Sequence, residues 1–391
     1  MSVLIIGGGI GGLTTALALQ RLGIPYQLFE AAPEIKPVGA GLWLPPNAMQ
    51  IFQRLEIAEA IQQHAVLYRS LELRDFTGNL LKRLDVQRMI QKFGFGTYGI
   101  HRATLHQLLL QQLDDACVHT GKRLTALHIH PDEIHAEFAD GSQARGEVLI
   151  AADGLRSTVR SLLFGETPLR YSGQTCWRGT IPYSSPDIPP DGTFEIWGPE
   201  AGLRAGLGYV DGGRVYFYLT LKQKPGKQLE AERLKPYLLK KYQLFPPFVQ
   251  QLLEATEPEQ LIHTDLYDFP PLNRWCSGRV ALLGDAAHAT TPNLGQGAAQ
   301  AIESAYVLAH CLKQFPDHTA AFQTYEKMRR PKATLVNKLS WHYNQLVNFI
   351  SPRNRGVVFN LIRLTPAFLD HLQLDRIYSV GYLSALENTV S

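Results

Sequence analysis

The chain has 391 residues, 45% hydrophobic and 19% charged, the balance of a globular protein long enough to bury a substantial core and to form two or three domains. A net charge of +3 with no Lys/Arg-rich block argues against nucleic acid as a partner. The four cysteines form no CxxC pair and read as reduced thiols of a cytoplasmic protein, and neither a secretory leader nor an apolar run of about 18 residues for a membrane span is expected.

The first segment, "SVLIIGGGIGGLTTALALQRLG", reads as a buried strand, a tight turn and a helix, with "YQLFE" as the next strand. A proline-rich stretch, "APEIKPVGAGLWLPPNAM", interrupts the pattern before a helix predicted over "AMQIFQRLEIAEAIQQH". "LYRSLELRDFTGNLLKRL" alternates like a hairpin turning near Thr77-Gly78-Asn79. "TLHQLLLQQLDDA" has leucines at helical spacing, and "LTALHIHPDEIHAEFADGSQARGEVLIAAD" reads as three short strands, the last ending at Asp153. From about Arg170 to Lys222 the texture turns aromatic, alternating and Gly/Pro-punctuated, as in an antiparallel sheet inserted between two α/β parts. Helices follow around 228–241 and 246–255, then the strand "RVALLGDAA", a mostly helical stretch from Gly297 to about Ile350, and short helices to the end.

"GGGIGG" fits G-x-G-x-x-G as Gly7, Gly9 and Gly12. Gly7 allows the turn, Gly9 lets backbone approach a pyrophosphate, and Gly12 lets the helix pack on the strand. The helix N-terminus adds free N–H groups and a positive dipole for phosphate. Glu30 closes the second strand, where a carboxylate accepts both ribose hydroxyls and repels a 2′-phosphate; the site fits FAD or NAD rather than NADP. Three further stretches stand out. Arg102 begins a helix in "HRATLHQLL". Asp153-Gly154 lies just past a buried strand in "AADGLRSTVR", with Ser157 and Arg160 on the following helix. Asp285 lies in "GDAAHATTPNLGQG" at another strand end. Each has a plain alternative, a surface arginine or a helix cap.

Taken together, in this order and spacing, these stretches resemble the FAD-dependent aromatic hydroxylases, the single-component flavoprotein monooxygenases related to 4-hydroxybenzoate hydroxylase. The resemblance runs from the first strand to about residue 370. It implies an α/β fold: a Rossmann-type FAD-binding domain, an inserted mainly antiparallel β-sheet substrate domain and a helical C-terminal region. The expected boundaries are 1–168 (with a strand excursion over 66–100), 169–270, 271–335 for the second part of the FAD domain, and 336–391. By resemblance, Glu30 holds the FAD ribose, Arg102 lies against the phosphates, and Leu124 touches the adenine through its backbone. Asp153 and Gly154 belong to a motif serving FAD and NAD(P)H, and Asp285 binds the ribityl chain. Pro292 packs near the isoalloxazine, and Gly295, Gln296 and Gly297 begin the helix facing its pyrimidine edge. The implied reaction uses NADH or NADPH and O2: a C4a-hydroperoxide on the flavin passes its distal oxygen to a small aromatic or heteroaromatic substrate. No metal is required.

Within the family the spacing resembles the urate hydroxylases and the salicylate hydroxylase-like branch. There an arginine on the third inserted strand and a tyrosine twelve residues later meet the substrate, and Arg204 and Tyr216 occupy those positions. An arginine snorkelling to solvent at a sheet edge is the alternative for Arg204. One departure is Asn293, where the urate branch has an aspartate; an amide cannot serve as a base. Trp43, Trp177, Arg178 and Trp197 read as structural or pocket-shaping. His128, His130 and His135 lie in a surface hairpin without an accompanying cysteine, so no metal site is expected. His288 reads as structural near the flavin, with a catalytic base as the alternative. "WHYNQLVNFISP" and "RGVVFNLIRLTPAFLDHL" are amphipathic at helical spacing and read as core or dimer packing of a monomer or homodimer rather than membrane docking. The competing functions are a different flavin oxygenation on the same fold, such as epoxidation or oxidation of a drug-like polycycle, and a non-catalytic flavin-binding sensor or partner protein.

Overall fold

The computed structural model describes residues 1–34, 40–227 and 229–387. Four apolar four-residue or shorter runs, Val3–Ile6, Tyr26–Phe29, Val148–Ala151 and Val280–Leu282, pair in parallel, joined at the edges by Val118–His119 and Cys276–Ser277. The central strands Val3–Ile6 and Val148–Ala151 are buried throughout, as expected of a parallel sheet covered on both faces. Helices Ile10–Arg21 and Gly297–Gln314 pack together over this sheet, so the first and last glycine-rich turns meet although about 270 residues separate them.

The inserted sheet has seven strands, in the order Ile262–Asp268, Arg170–Pro182, Arg214–Lys222, Arg204–Val210, Gly192–Trp197, Ser70–Asp75 and Leu80–Leu84. It is larger than the stretch 170–222. The hairpin assigned from sequence to the first domain pairs with it, because Ser70–Asp75 satisfies the backbone edge of Gly192–Trp197 in parallel register. Alternation divides the sheet into two faces. Trp177, Ile181, Phe194, Ile196, Leu207, Val215, Phe217 and Leu219 lie on one face and form a core with the helices Ala231–Lys241 and Pro247–Glu254. Each fully buried aliphatic or aromatic chain there contributes about 1.5–3 kcal/mol. The cross-strand register puts Arg178, Tyr216, Tyr218, Arg204, Glu195 and Trp197 on the other face.

Several local expectations need correction. The helix expected over 48–64 is two helices, Pro46–Arg54 and Ala58–Gln63, broken where Glu56 takes a left-handed φ of 62°. The segment 124–153 holds four strands, not three. Its last, Val148–Ala151, ends before Asp153 and joins the parallel sheet, while the first three form a separate antiparallel sheet. Helix His318–Phe349 is continuous across position 335, where a domain boundary was expected. Residues 35–39 of the proline-rich stretch lie outside the described residues. The amphipathic tail forms the helices Arg355–Leu364 and Ala367–Tyr378. Val358, Phe359, Ile377 and Tyr378 are buried, but most of their other apolar chains are exposed, so core packing accounts for only part of it. The four cysteines are free.

Candidate functional site: a cleft between the parallel sheet and the inserted sheet

The N-terminal turn is sterically committed. Gly7 has φ 107°, and a Cβ there would stand 2.4 Å from the Ala152 carbonyl oxygen; one on Gly12 would stand 1.9 Å from the Gly7 oxygen. Gly9, the N-cap of helix Ile10–Arg21, has open space where a side chain would be. Glu30 is fixed at the strand end by two backbone donors, Gly8 N–H at 2.6 Å and Ala32 N–H at 2.8 Å. Leu124 begins the strand Leu124–Ile129, two residues after Lys122, whose N–H bonds the Glu30 carbonyl at 2.8 Å.

Arg102 and Asp285 tie this turn to the distant one. Both are exposed to solvent, yet desolvation is the largest influence on each, the combination expected of groups lining a deep cleft. Burial raises the Asp285 carboxyl and Arg102 opposes it; burial lowers the Arg102 guanidinium and Asp285 opposes that. His106 lies one turn beyond Arg102. Burial and the Arg102 charge lower it to about 4, with Glu30 opposing, and its Nε2 is buried without a hydrogen-bond partner. A run of open backbone, a fixed carboxylate, an arginine and an unpartnered buried imidazole nitrogen fits an extended anionic dinucleotide.

Asp153 Oδ2 accepts from Val159 N–H at 3.1 Å, and Gly154 follows with φ 82°. Asp153 thus braces the first turn of the following helix without being its N-cap. Ser157 caps helix Thr158–Phe164, accepting from Arg160 N–H. The Arg160 side chain, buried over Phe269, reaches across to the Ala286 carbonyl at 3.0 Å and so locks the Asp153-Gly154 segment to the Asp285 turn. His288 is buried against Trp275 and bonds Ser304 at 3.0 Å; burial and Arg329 lower it to about 3, leaving it neutral.

Pro292 is exposed at the head of a short turn, and Gly295 (φ 60°) packs 3.7 Å, by its would-be Cβ, from Trp43. Gln296 caps helix Gly297–Gln314 and is buried in a network that the sequence reading missed. Asn47 donates to Gln296 and to Glu303, Gln300 donates to both, and Glu303 pairs with Arg329 at 2.8 Å and Lys332 at 2.8 Å. The available signal was a polar stripe, Gln296, Gln300 and Glu303, at four- and three-residue spacing on an otherwise apolar helix.

The roof is the polar-aromatic face of the seven-stranded sheet. Arg204 is on an interior strand and 2% exposed, not at a sheet edge. Its N–H groups go to Thr220 Oγ1 (3.2 Å), Glu195 Oε1 (3.3 Å), Gln174 Oε1 (2.9 Å) and Asn293 Oδ1 (2.8 Å). Burial is the largest single influence and disfavours its charge, but Glu195, Tyr218, Tyr343 and Cys176 together outweigh it and raise its pKa. Glu195 also accepts from Trp197, Tyr218 and Tyr343. Asn293 is used on both ends: its amide donates to Thr291 Oγ1 at 2.9 Å and the Ser340 carbonyl at 3.2 Å. An aspartate there would set an oxygen against that carbonyl, so the amide fits this chain's surroundings. Tyr216 stacks over Gly41, whose Cβ position its ring fills, and burial pushes its phenol up to about 12 with Arg178 opposing. Arg178, half-buried, neighbours Cys176, Tyr216 and Tyr218 and lies close enough to Arg102 to influence it. Trp177 instead stacks on His263 at 4.8 Å within the far core. Trp43 stands between Tyr68 and Tyr218, 6.3 Å from each. No cluster of three His, Cys, Asp or Glu able to hold a metal occurs among the described residues.

A family model described as an FAD binding domain matches residues 1–340. The chain is similar to an aurachin C monooxygenase/isomerase of Stigmatella aurantiaca, 36% identical over 333 residues, covering 85% of this chain and 86% of that protein. It is also similar to an FAD-dependent urate hydroxylase of Klebsiella pneumoniae, 35% identical over 331 residues, covering 84% and 86%. Among solved structures, that of Klebsiella pneumoniae HpxO complexed with FAD and uric acid superposes with a TM-score of 0.90 at 29% identity, over 97% of this chain and 96% of the other.

Proposed function

The chain belongs to the FAD-binding monooxygenases, the flavin-dependent aromatic hydroxylases and their relatives, and from that premise we propose that it uses NADH or NADPH and O2 to hydroxylate a small aromatic or heteroaromatic compound bearing a ring oxygen, as a phenolate or a ring carbonyl. Bound FAD, once reduced, supplies the activation of O2. Gly7, Gly9, Gly12 and the helix behind them cradle the pyrophosphate, with Arg102 beside it. Glu30 takes the ribose hydroxyls, the backbone at Leu124 meets the adenine, and Asp285 takes the ribityl chain. Pro292, Gly295, Gln296 and Gly297 face the ring system, and Asp153-Gly154 serves the cofactor side. Trp43, Tyr68, Tyr216 and Tyr218 keep water from the reacting ring.

The observation that carries the substrate class is the difference between the two roof arginines. Arg204 is already saturated by Glu195, Gln174, Thr220 and Asn293. It therefore acts as a positioning residue, pinning the roof to the Pro292–Gly295 turn through Asn293. Arg178 is half-buried on the same face, forms no ion pair among the described residues, and stands beside Tyr216. Arg178 and Tyr216 are the donors left for an oxygen on the substrate.

The test is to purify the protein, read its flavin spectrum, and measure NADH and NADPH oxidation with phenols, hydroxyquinolines, quinolones and purines, scoring hydroxylated product by mass. Ring-oxygenated compounds are expected to accelerate oxidation and gain one oxygen. No acceleration by any of them points instead to a non-catalytic flavoprotein. Arg178→Ala should raise the substrate KM about ten- to hundredfold, the loss of one charge-assisted hydrogen bond, with flavin content unchanged. Loss of flavin from that variant would place Arg178 on the cofactor and sink its substrate role.

A further inference from the structure

The tail helices Arg355–Leu364 and Ala367–Tyr378 are joined through Thr365 and Pro366. Val358 and Phe359 anchor the first on the body of the protein, and Ile377 and Tyr378 anchor the second. Their outer surface is apolar. Val357, Leu361 and Leu364, at i, i+4 and i+7, together with Phe368, Leu369 and Leu372, are 46–77% exposed, and Phe349 is 65% exposed just before them. At the joint, Pro366, Ala367, Phe368 and Leu369 are exposed consecutively, as at a projecting tip. Single exposed apolar residues are ordinary; six on two adjoining helices, with Phe349 just before them, form a patch that marks an interaction surface.

The charges around it have one sign to spare. Both acids of the second helix are already paired, Asp370 with Lys82 at 2.6 Å and Asp375 with Arg88 at 2.8 Å and Lys92 at 2.7 Å. Arg363 pairs with Asp75 at 3.1 Å. Arg353, Arg355 and Arg376 form no ion pair among the described residues; Arg355 lies over the Phe76 ring. Arg353 and Arg355 stand at the start of the first helix, and Arg376 lies on the Phe368–Leu372 stripe near the end of the second. The free cations thus sit at the ends farthest along the chain from the apolar joint. A second copy docking on this face would bring no unpaired acid of these helices to meet those cations. An anionic lipid surface would take the apolar tip among its acyl chains and the arginines at its headgroup phosphates.

We infer that the Arg355–Tyr378 helix pair is a monotopic docking surface for an anionic lipid bilayer. No helix among the described residues is long and apolar enough to span one, so the attachment is peripheral, and it rests on surface chemistry independent of the flavin site.

The experiment is flotation of the flavin-loaded protein with phosphatidylglycerol/phosphatidylcholine vesicles and with phosphatidylcholine vesicles alone. Binding is expected to the anionic vesicles and to weaken with salt. The double variant Leu364→Glu/Phe368→Glu should lose at least about tenfold in partitioning while keeping its flavin content and its circular dichroism. Because both positions are exposed, misfolding is checked by those two readouts, and Arg353→Glu/Arg376→Glu gives a second variant expected to weaken binding while every apolar residue of the patch is kept. Absence of binding to anionic vesicles overturns the inference. Sedimentation velocity then identifies a second copy as the occupant if the wild type dimerises and Leu364→Glu/Phe368→Glu does not. Equal binding to both vesicle types, or binding unaffected by either variant, also overturns it.

Discussion

At the residue scale the roof rests on one buried ion pair and one amide. Removing the Arg204 guanidinium leaves Glu195 desolvated among Trp197, Tyr218 and Tyr343, and breaking a buried pair by removing one partner costs about 3–5 kcal/mol. Asn293→Asp tests the other half. Its new oxygen faces the Ser340 carbonyl, so the variant should lose about 1–3 kcal/mol of stability, read as a lower Tm at neutral pH and a smaller deficit in acid, where the new carboxyl protonates and can donate again. A variant as stable as the wild type at every pH would refute the hydrogen-bond assignment. Two imidazoles set a further expectation. His288, lowered to about 3, and His106, lowered to about 4, are neutral when folded. Their unfolded pKa is about 6.5, so the unfolded chain binds more protons in the interval below that value. Their contribution to stability is complete above pH 6.5 and is lost as pH falls toward 4 and 3. His288→Gln should flatten the slope of urea midpoint against pH between about 6.5 and 4; an unchanged slope would show that this histidine does not carry the dependence.

At the element scale, the inserted sheet works because its two faces have different occupants. Alternation in "RVYFYLTL" and "CWRGTIP" is visible in the sequence, but which register faces the core depends on the partner helices Ala231–Lys241 and Pro247–Glu254. That is why Trp177, which reads as structural or pocket-shaping, lies in the far core while Arg178 is on the opposite face. Gly206 belongs to the cleft face. A Cβ there would stand 2.2 Å from the Tyr218 ring, forcing that ring off Glu195. Gly206→Ala is expected to destabilise by about 1–3 kcal/mol and to raise peroxide release relative to product, since the roof no longer closes. Tight coupling and an unchanged Tm in this variant would show that the roof tolerates displacement of Tyr218. The break at Glu56 had no comparable signal: helical periodicity runs through it, and only packing of the two short helices turns the chain there.

At the scale of the whole molecule, the candidate site draws on segments far apart in the chain, with Arg102 and Asp285 close enough to influence one another's charge. FAD in such a cleft binds the folded state alone. A free concentration of a hundred Kd should therefore stabilise by about 2.7 kcal/mol, measured as a rise in Tm of flavin-stripped protein on adding FAD; no rise would mean that the cleft is not the cofactor's seat. The sequence by itself determined the dinucleotide turn, because Gly7, Gly9, Gly12 and Glu30 act within one short strand-helix-strand unit whose geometry is local. It also determined the order of the remaining motifs and, through their resemblance, the family. Only the tertiary structure decided what surrounds each of the roof arginines. Arg204 and Arg178 are both cations on alternating strands, and nothing local distinguishes them. Glu195, Gln174 and Asn293, drawn from three other places in the chain, surround the first, while the second lies beside Cys176, Tyr216 and Tyr218. The tertiary structure likewise decided that the tail's amphipathic helices keep one apolar face outward, since periodicity shows that a face exists but only packing shows whether anything covers it.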